Sequence, residues 1–207
     1  MSREDVLKTP RNLEEEIMIM CDLTKEMLEL TWEGFRKHDK ERLSQAESIG
    51  REIHQKEKQL THLIMTKLSR REEPIKQIEG LALLPGHIER IGDNIELLIR
   101  CIRTMTQEGT LFSERAIKEV NALFSKAIEL LECVRDALKT KNKVLVRYIK
   151  EEGEKFQEMI REYSLAHYER LIEGTCIPKA SSVYLAILDY LVEIERHIRQ
   201  MADKIVV

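Results

Sequence analysis

Apolar side chains recur at three- and four-residue spacing along most of the chain, the period of a helix with one buried face. Ile17, Met20, Cys21, Thr24, Met27, Leu28, Thr31 and Phe35 form the first such stripe, interrupted by two threonines, and predict a helix over residues 12–37. A polar break, Arg36-Lys37-His38-Asp39, precedes a near-heptad frame of Leu43, Ala46, Gly50, Ile53, Glu57, Leu60, Ile64 and Lys67, which predicts a second helix to about residue 71. Pro74 suits the first turn of a third helix, where its missing N–H has no partner to lose. That helix is expected to run to Gly109 with a kink at Pro85-Gly86, because proline removes a backbone bond and crowds the preceding turn. Its seam is Ile88, Ile91, Gly92, Ile95, Leu98, Ile99, Ile102 and Met105.

Three further helices follow the same logic. Ser113 is a good N-cap for a fourth, with a stripe of Ile117, Val120, Phe124, Ala127, Leu131, Val134 and Leu138. A fifth is expected over residues 142–173 through Leu145, Tyr148, Ile149, Phe156, Met159, Ile160 and Tyr163. After Gly174-Thr175-Cys176-Ile177-Pro178, Ser181 or Ser182 is expected to cap a sixth, whose seam is Tyr184, Ile187, Leu188, Leu191, Ile194, Ile198, Met201 and Ile205.

The halves read as two copies of one plan. The first helix break at Phe35–Lys40 and the break at Ala137–Lys143 lie about 103 residues apart, and Ile88-Glu89-Arg90 matches Ile194-Glu195-Arg196 at an offset of 106. The expectation is an all-α protein of six helices in two tandem three-helix bundles, residues 1–109 and 110–207.

Composition narrows the function. Charged residues make up 34% and aromatics 5% of the 207 residues, a balance suited to long helices with solvated faces. Residues 1–108 carry 18 basic and 21 acidic side chains and residues 109–207 carry 16 of each, so neither half is a basic module and no nucleic-acid partner is expected. Cys21, Cys101, Cys133 and Cys176 show no C-x-x-C spacing, which favours a reducing setting. No apolar run follows the first charges and no stretch of 18 apolar residues occurs, so a cytoplasmic location is expected, with neither an export signal nor a transmembrane segment.

Candidate chemistry concentrates in Ile88-Glu89-Arg90-Ile91-Gly92-Asp93-Asn94-Ile95-Glu96. Glu89 and Asp93 stand one turn apart and Glu96 continues that side, so three carboxylates share a stripe able to receive a hard or borderline cation. The same pattern also describes a solvated acidic face, with Glu96 and Arg100 as an ordinary i,i+4 pair. No His follows a Glu by three positions, as a di-iron oxidase requires, and no Walker loop, G-x-S-x-G elbow or H-E-x-x-H is present, so the chain is not expected to be an enzyme. His54, His62 and His167 fall at positions that read as solvated, and His87 as a partner for local backbone. Trp32 reads as a core or interface anchor, and Met18 with Met20 as packing. Lys139, Lys141, Lys143 and Arg147 form a basic patch that is either plain surface or a contact for an acidic partner or lipid.

The segment Ile88-Glu89-Arg90-Ile91-Gly92-Asp93 resembles the L-E-R-I-G-D segment of the PhoU family, the phosphate-uptake regulators. The helix-break spacing, the repeat and the second Ile-Glu-Arg extend the resemblance over nearly the whole chain. It implies paired three-helix bundles and a cytoplasmic regulator whose partners are a phosphate transporter and/or a membrane sensor kinase, with membrane association only through them. A homodimer is compatible with it. Some members hold iron or zinc on E-x-x-x-D motifs, one per repeat, which would place such a metal at Glu89 and Asp93, beside Glu96. The second motif departs from the pattern: it reads Glu195-Arg196-His197-Ile198-Arg199, and a guanidinium cannot ligate a cation. Asp203 and His197 are its remaining donors, and a metal there is not expected. Degenerate second motifs also resemble PhoU-like domains attached to sodium/phosphate cotransporters, so a soluble accessory partner of that class is one alternative. A metal-storage or metal-sensing bundle is a second, and a purely structural helical module a third.

Overall fold

A computed structural model describes residues 13–70 and 80–205. Among these residues there are six long helices and no strand: α1 (Leu13–Lys37), α2 (Lys40–Arg70), α3 (Leu84–Gln107), α4 (Glu114–Thr140), α5 (Lys143–Ile172) and α6 (Pro178–Lys204). Pro74 lies outside the described residues.

The breaks between helices show why the chain turns where it does. His38 and Lys141, 103 residues apart, both adopt a left-handed backbone with φ of 52°. Each is followed by a short polar cap. Asp39 Oδ1 accepts from the backbone N–H groups of Glu41 and Arg42 at 2.9 and 3.2 Å. Asn142 Oδ1 accepts from Val144 N–H at 2.8 Å. These bonds satisfy helix donors that otherwise have no partner, and such a cap typically stabilises its helix by about 1 kcal/mol. Ser113 caps α4 by accepting from Ala116 N–H.

Two expectations fail. No kink forms at Pro85-Gly86. Instead the helix over residues 80–82 ends in a turn at Leu83, and Pro85 occupies the first turn of α3. Proline thus sits where its missing N–H costs nothing, which starts a new helix rather than bending an old one. Likewise α6 begins at Pro178 with Ile177 as its cap and no side-chain bond, so Ser181 and Ser182 are inside the helix.

Three seams bury as patterned, α4 is shifted, and the α5 stripe is only partly buried at Leu145, Tyr148, Met159 and Tyr163. Every residue of the α1, α3 and α6 stripes is buried, whereas Ile117 of α4 is 40% exposed and Ala116 and Leu123 take the inward positions. Helices α1, α2 and α3 pack on one another, as do α4, α5 and α6. Across the halves α1 packs on α4, and α3 on α6 most extensively, so α1, α3, α6 and α4 close a four-helix ring flanked by α2 and α5. The buried residues of both halves form one hydrophobic core. Each fully buried Ile or Leu there contributes about 1.5–3 kcal/mol. Trp32 is an anchor between halves: its ring stacks on Phe124 with centroids 6.3 Å apart and its indole N–H donates to Asn121 Oδ1. Met20 is fully buried and Met18 packs against the core.

Candidate functional site

The acidic stripe of α3 faces α2 across a groove of about 370 Å³ lined by Gly50, Ile53, His54, Glu89, Gly92, Asp93 and Glu96, among others. Two small residues make this groove possible. A Cβ on Gly50 would fall 2.9 Å from Glu96 Oε1, so the bare backbone of α2 leaves room for that carboxylate. Gly92 is buried against Ile53 and keeps the floor low. His54 Nδ1 lies 2.6 Å from Glu89 Oε1, tying the mouth of the groove together. Asp93 is exposed.

The second half contains the counterpart. Advancing α2 positions by 103 and α3 positions by 106 carries Gly50 to Gly153, His54 to Gln157, Glu89 to Glu195 and Asp93 to Arg199. Glu195 is fully buried, and it accepts from Gln157 Nε2 at 3.0 Å and from Arg199 Nε at 2.9 Å. A Cβ on Gly153 would lie 2.3 Å from Glu195 Oε1, so here the carboxylate rests directly on bare helix backbone. Burial pushes the Glu195 carboxyl above its ordinary range, against the opposing pull of Gln157 and Arg199. Asp203 pairs with Lys150 at 2.6 Å. The two positions joined by these offsets are therefore different objects, an open acidic groove and a closed, internally neutralised one.

The donor types of the first groove, carboxylate oxygens with an imidazole nitrogen beside them, suit a borderline cation in kind. Their arrangement does not. Among the described residues no three His, Cys, Asp or Glu side chains converge to hold a metal ion. Glu89 is committed to His54 and Glu96 lies against Gly50, so neither an iron nor a zinc fits the groove as arranged.

Other placements differ from the sequence reading. His62 is exposed and His54 half-exposed, but His167 is 1% exposed on the inner side of α5. His87 meets His197 across the α3–α6 contact, Nδ1 to Nδ1 at 3.3 Å. Burial lowers both imidazoles below the usual histidine range, helped by Lys204 and Arg90 at His87 and by His87 and Arg196 at His197. In the basic patch Lys141 Nζ donates to Glu14 Oε1 at 2.7 Å and Arg147 pairs with Glu151, so part of that charge is spent within the molecule.

Periodicity also gave no hint of a buried polar network in the second half. Arg170 grips Glu119 with two parallel bonds of 3.0 and 2.9 Å, and Tyr184 O–H donates to the same carboxylate at 2.6 Å. The residues lie on α4, α5 and α6, separated by 51 and 65 positions, so no local spacing marks them. Gly153 could have been found, because it repeats Gly50 at the offset of the helix breaks.

Residues 17–102 match the sequence profile of the PhoU domain family. No curated protein sequence matches the chain significantly. Solved structures do share its fold. PhoU from Pseudomonas aeruginosa superposes with a TM-score of 0.74 at 18% identity, over 93% of each chain. The phosphate transport system regulatory protein PhoU from Streptococcus pneumoniae gives 0.82 at 15% identity, over 94% of this chain and 91% of that one. A PhoU-like protein from Shewanella oneidensis gives 0.65 at 11% identity, over 93% and 96%. Residues 17–102 thus match the PhoU domain, and the chain as a whole has the all-helical fold of the solved PhoU structures.

Proposed function

We propose that the chain is a PhoU-type regulator of phosphate uptake and phosphate-starvation signalling, working by docking on a phosphate transporter and/or a membrane sensor kinase rather than by catalysis. The observation that carries this reading is the match to the PhoU domain over residues 17–102 in a chain whose open acidic groove, with Glu89, Asp93 and Glu96, lies between α2 and α3. The name of the Streptococcus pneumoniae relative, a phosphate transport system regulatory protein, supports it. Residues 1–109 and 110–207 are read as two copies of one three-helix unit. The matched helix breaks and the paired grooves support that division. The first copy keeps an open charged face for a partner, while Arg199 closes the second. None of the helices is long and apolar enough to cross a membrane, among the described residues, so contact with the membrane would run through the partner. A cytoplasmic location belongs to this reading.

A pull-down from the membrane fraction at high and low phosphate tests it. The wild-type chain is expected to retain a phosphate transporter or sensor kinase, and the pair Glu89→Lys with Asp93→Lys to lose it. Retention of neither class by the folded wild-type chain would overturn the reading. The closed Glu195–Arg199 motif favours one variant of it, an accessory partner of a sodium/phosphate cotransporter, and the same experiment separates the two by which transporter is retained.

A further inference from the structure

Far in sequence from the acidic groove, the junction of α5 and α6 holds chemistry that docking does not use. Cys176 lies half-buried in the connection between the helices, and its Sγ is 3.8 Å from His167 Nδ1, within hydrogen-bonding reach for sulfur. His167 is 1% exposed, stacks on Tyr184 with centroids 4.6 Å apart, and its Nε2 has no hydrogen-bond partner. Both residues line a cavity of about 180 Å³ walled by Phe112, Ile177 and Tyr184. A buried ring nitrogen without a partner, on a cavity wall, is a group that a ligand can satisfy. The thiol beside it identifies the ligand's chemistry.

The other three thiols are poor competitors. Burial pushes Cys21 up to about 12 and raises Cys101 and Cys133 above the ordinary thiol range. His167 itself is lowered by burial and by the neighbouring Arg170, opposed by Glu119, so the ring is neutral near pH 7. Arg170 is pinned to Glu119 by two hydrogen bonds, which keeps its positive charge in place beside the imidazole. A neutral ring has one donor and one acceptor nitrogen. With Nε2 carrying the hydrogen, Nδ1 faces the thiol as an acceptor.

We propose that Cys176 is a modification site at which a small hydroperoxide is reduced, with His167 Nδ1 taking the thiol proton. The thiolate sulfur attacks one peroxide oxygen; the S–O bond forms as the O–O bond breaks. Sulfur is oxidised by two electrons to sulfenic acid. The leaving hydroxide or alkoxide takes the proton from Nδ1, so thiol and hydrogen peroxide give sulfenic acid and one water. The cavity lined by both residues admits the peroxide beside the thiol. This inference is independent of the docking reading, and either can fail alone.

The full chain is treated with hydrogen peroxide, trapped with dimedone and mapped by peptide mass spectrometry. Cys176 should be trapped at least about tenfold faster than Cys21, Cys101 or Cys133. His167→Gln should slow it by a similar factor while the circular dichroism stays unchanged. Equal rates at Cys101 or Cys133, or a folded His167→Gln chain with the wild-type rate, would overturn the proposal. Should that variant not fold, the wild-type pH–rate profile decides. Proton transfer to a neutral imidazole predicts a plateau near neutral pH and a fall below the usual histidine range, whereas an unassisted thiol predicts about tenfold per pH unit throughout.

Discussion

Glu119→Gln is the sharpest test of the packing in the second half. Glu119 is 5% exposed and Arg170 7%, and they meet through two parallel bonds, with Tyr184 donating to the same carboxylate. Glutamine keeps the shape and one acceptor oxygen but leaves the guanidinium buried without a countercharge. Removing one partner of a buried pair costs about 3–5 kcal/mol, and the retained carbonyl places this case near 3 kcal/mol. In a chain of this size each kcal/mol shifts the melting temperature by about 2–4 °C, so a drop of about 10 °C is expected. Urea unfolding followed by circular dichroism reads the loss directly, as a lower midpoint at unchanged slope. The surface control is Arg115→Ala. Its side chain is 66% exposed, and although it also reaches Glu119 its removal should cost no more than about 1 kcal/mol. A loss below about 1 kcal/mol for Glu119→Gln would refute the argument, since Arg170 would then have water or another partner within reach.

Gly153→Ala should destabilise by about 1–3 kcal/mol, because the new methyl lands on the Glu195 carboxylate and drives it off Gln157 and Arg199. Gly86→Ala, with nothing within 4 Å of its Cβ, should be neutral or slightly stabilising in the same unfolding assay. Stability should decline on acidification below the usual histidine range. The folded state lowers His87, His197 and His167, so their contribution is complete above the unfolded pKa and is lost as pH falls through the lower folded values. Unfolding midpoints at pH 7.5 and 5.5 measure it, and His87→Gln should shrink the difference; an unchanged difference would remove the α3–α6 histidine pair as a cause. Protein purified without chelators should contain well under one equivalent of iron, zinc or manganese, and a stoichiometric metal by elemental analysis would show that the acidic groove rearranges to bind.

The helices were legible because burial follows the 3.6-residue period, and all of the α1, α3 and α6 seams could be read from it. The likeness of the two helix breaks was legible because their residues repeat: the left-handed backbone at His38 and Lys141 is followed in each case by a capping Asp or Asn, and the proposed division into two copies rests in part on it. Pro85 misled because a proline inside an apolar pattern reads equally as a kink or a first turn, and only the turn at Leu83 decides. The acidic stripe was visible on α3, but its groove depends on Gly50 and His54 of α2, which become its neighbours only when the helices pack. Glu119, Arg170 and Tyr184 lay beyond reach for the same reason. The pairing of His87 with His197 spans 110 residues and arises from the packing between halves, which no spacing within one helix encodes.

The proposed regulation of phosphate supply through the open acidic groove is measured most directly by a phosphate-starvation reporter in a strain deleted for this chain. At high phosphate the deletion should derepress the reporter. The wild-type chain should restore repression, and Glu89→Lys with Asp93→Lys, expressed at the same level, should not. An unchanged reporter on deletion, or full repression by the charge-reversed chain, would contradict the account.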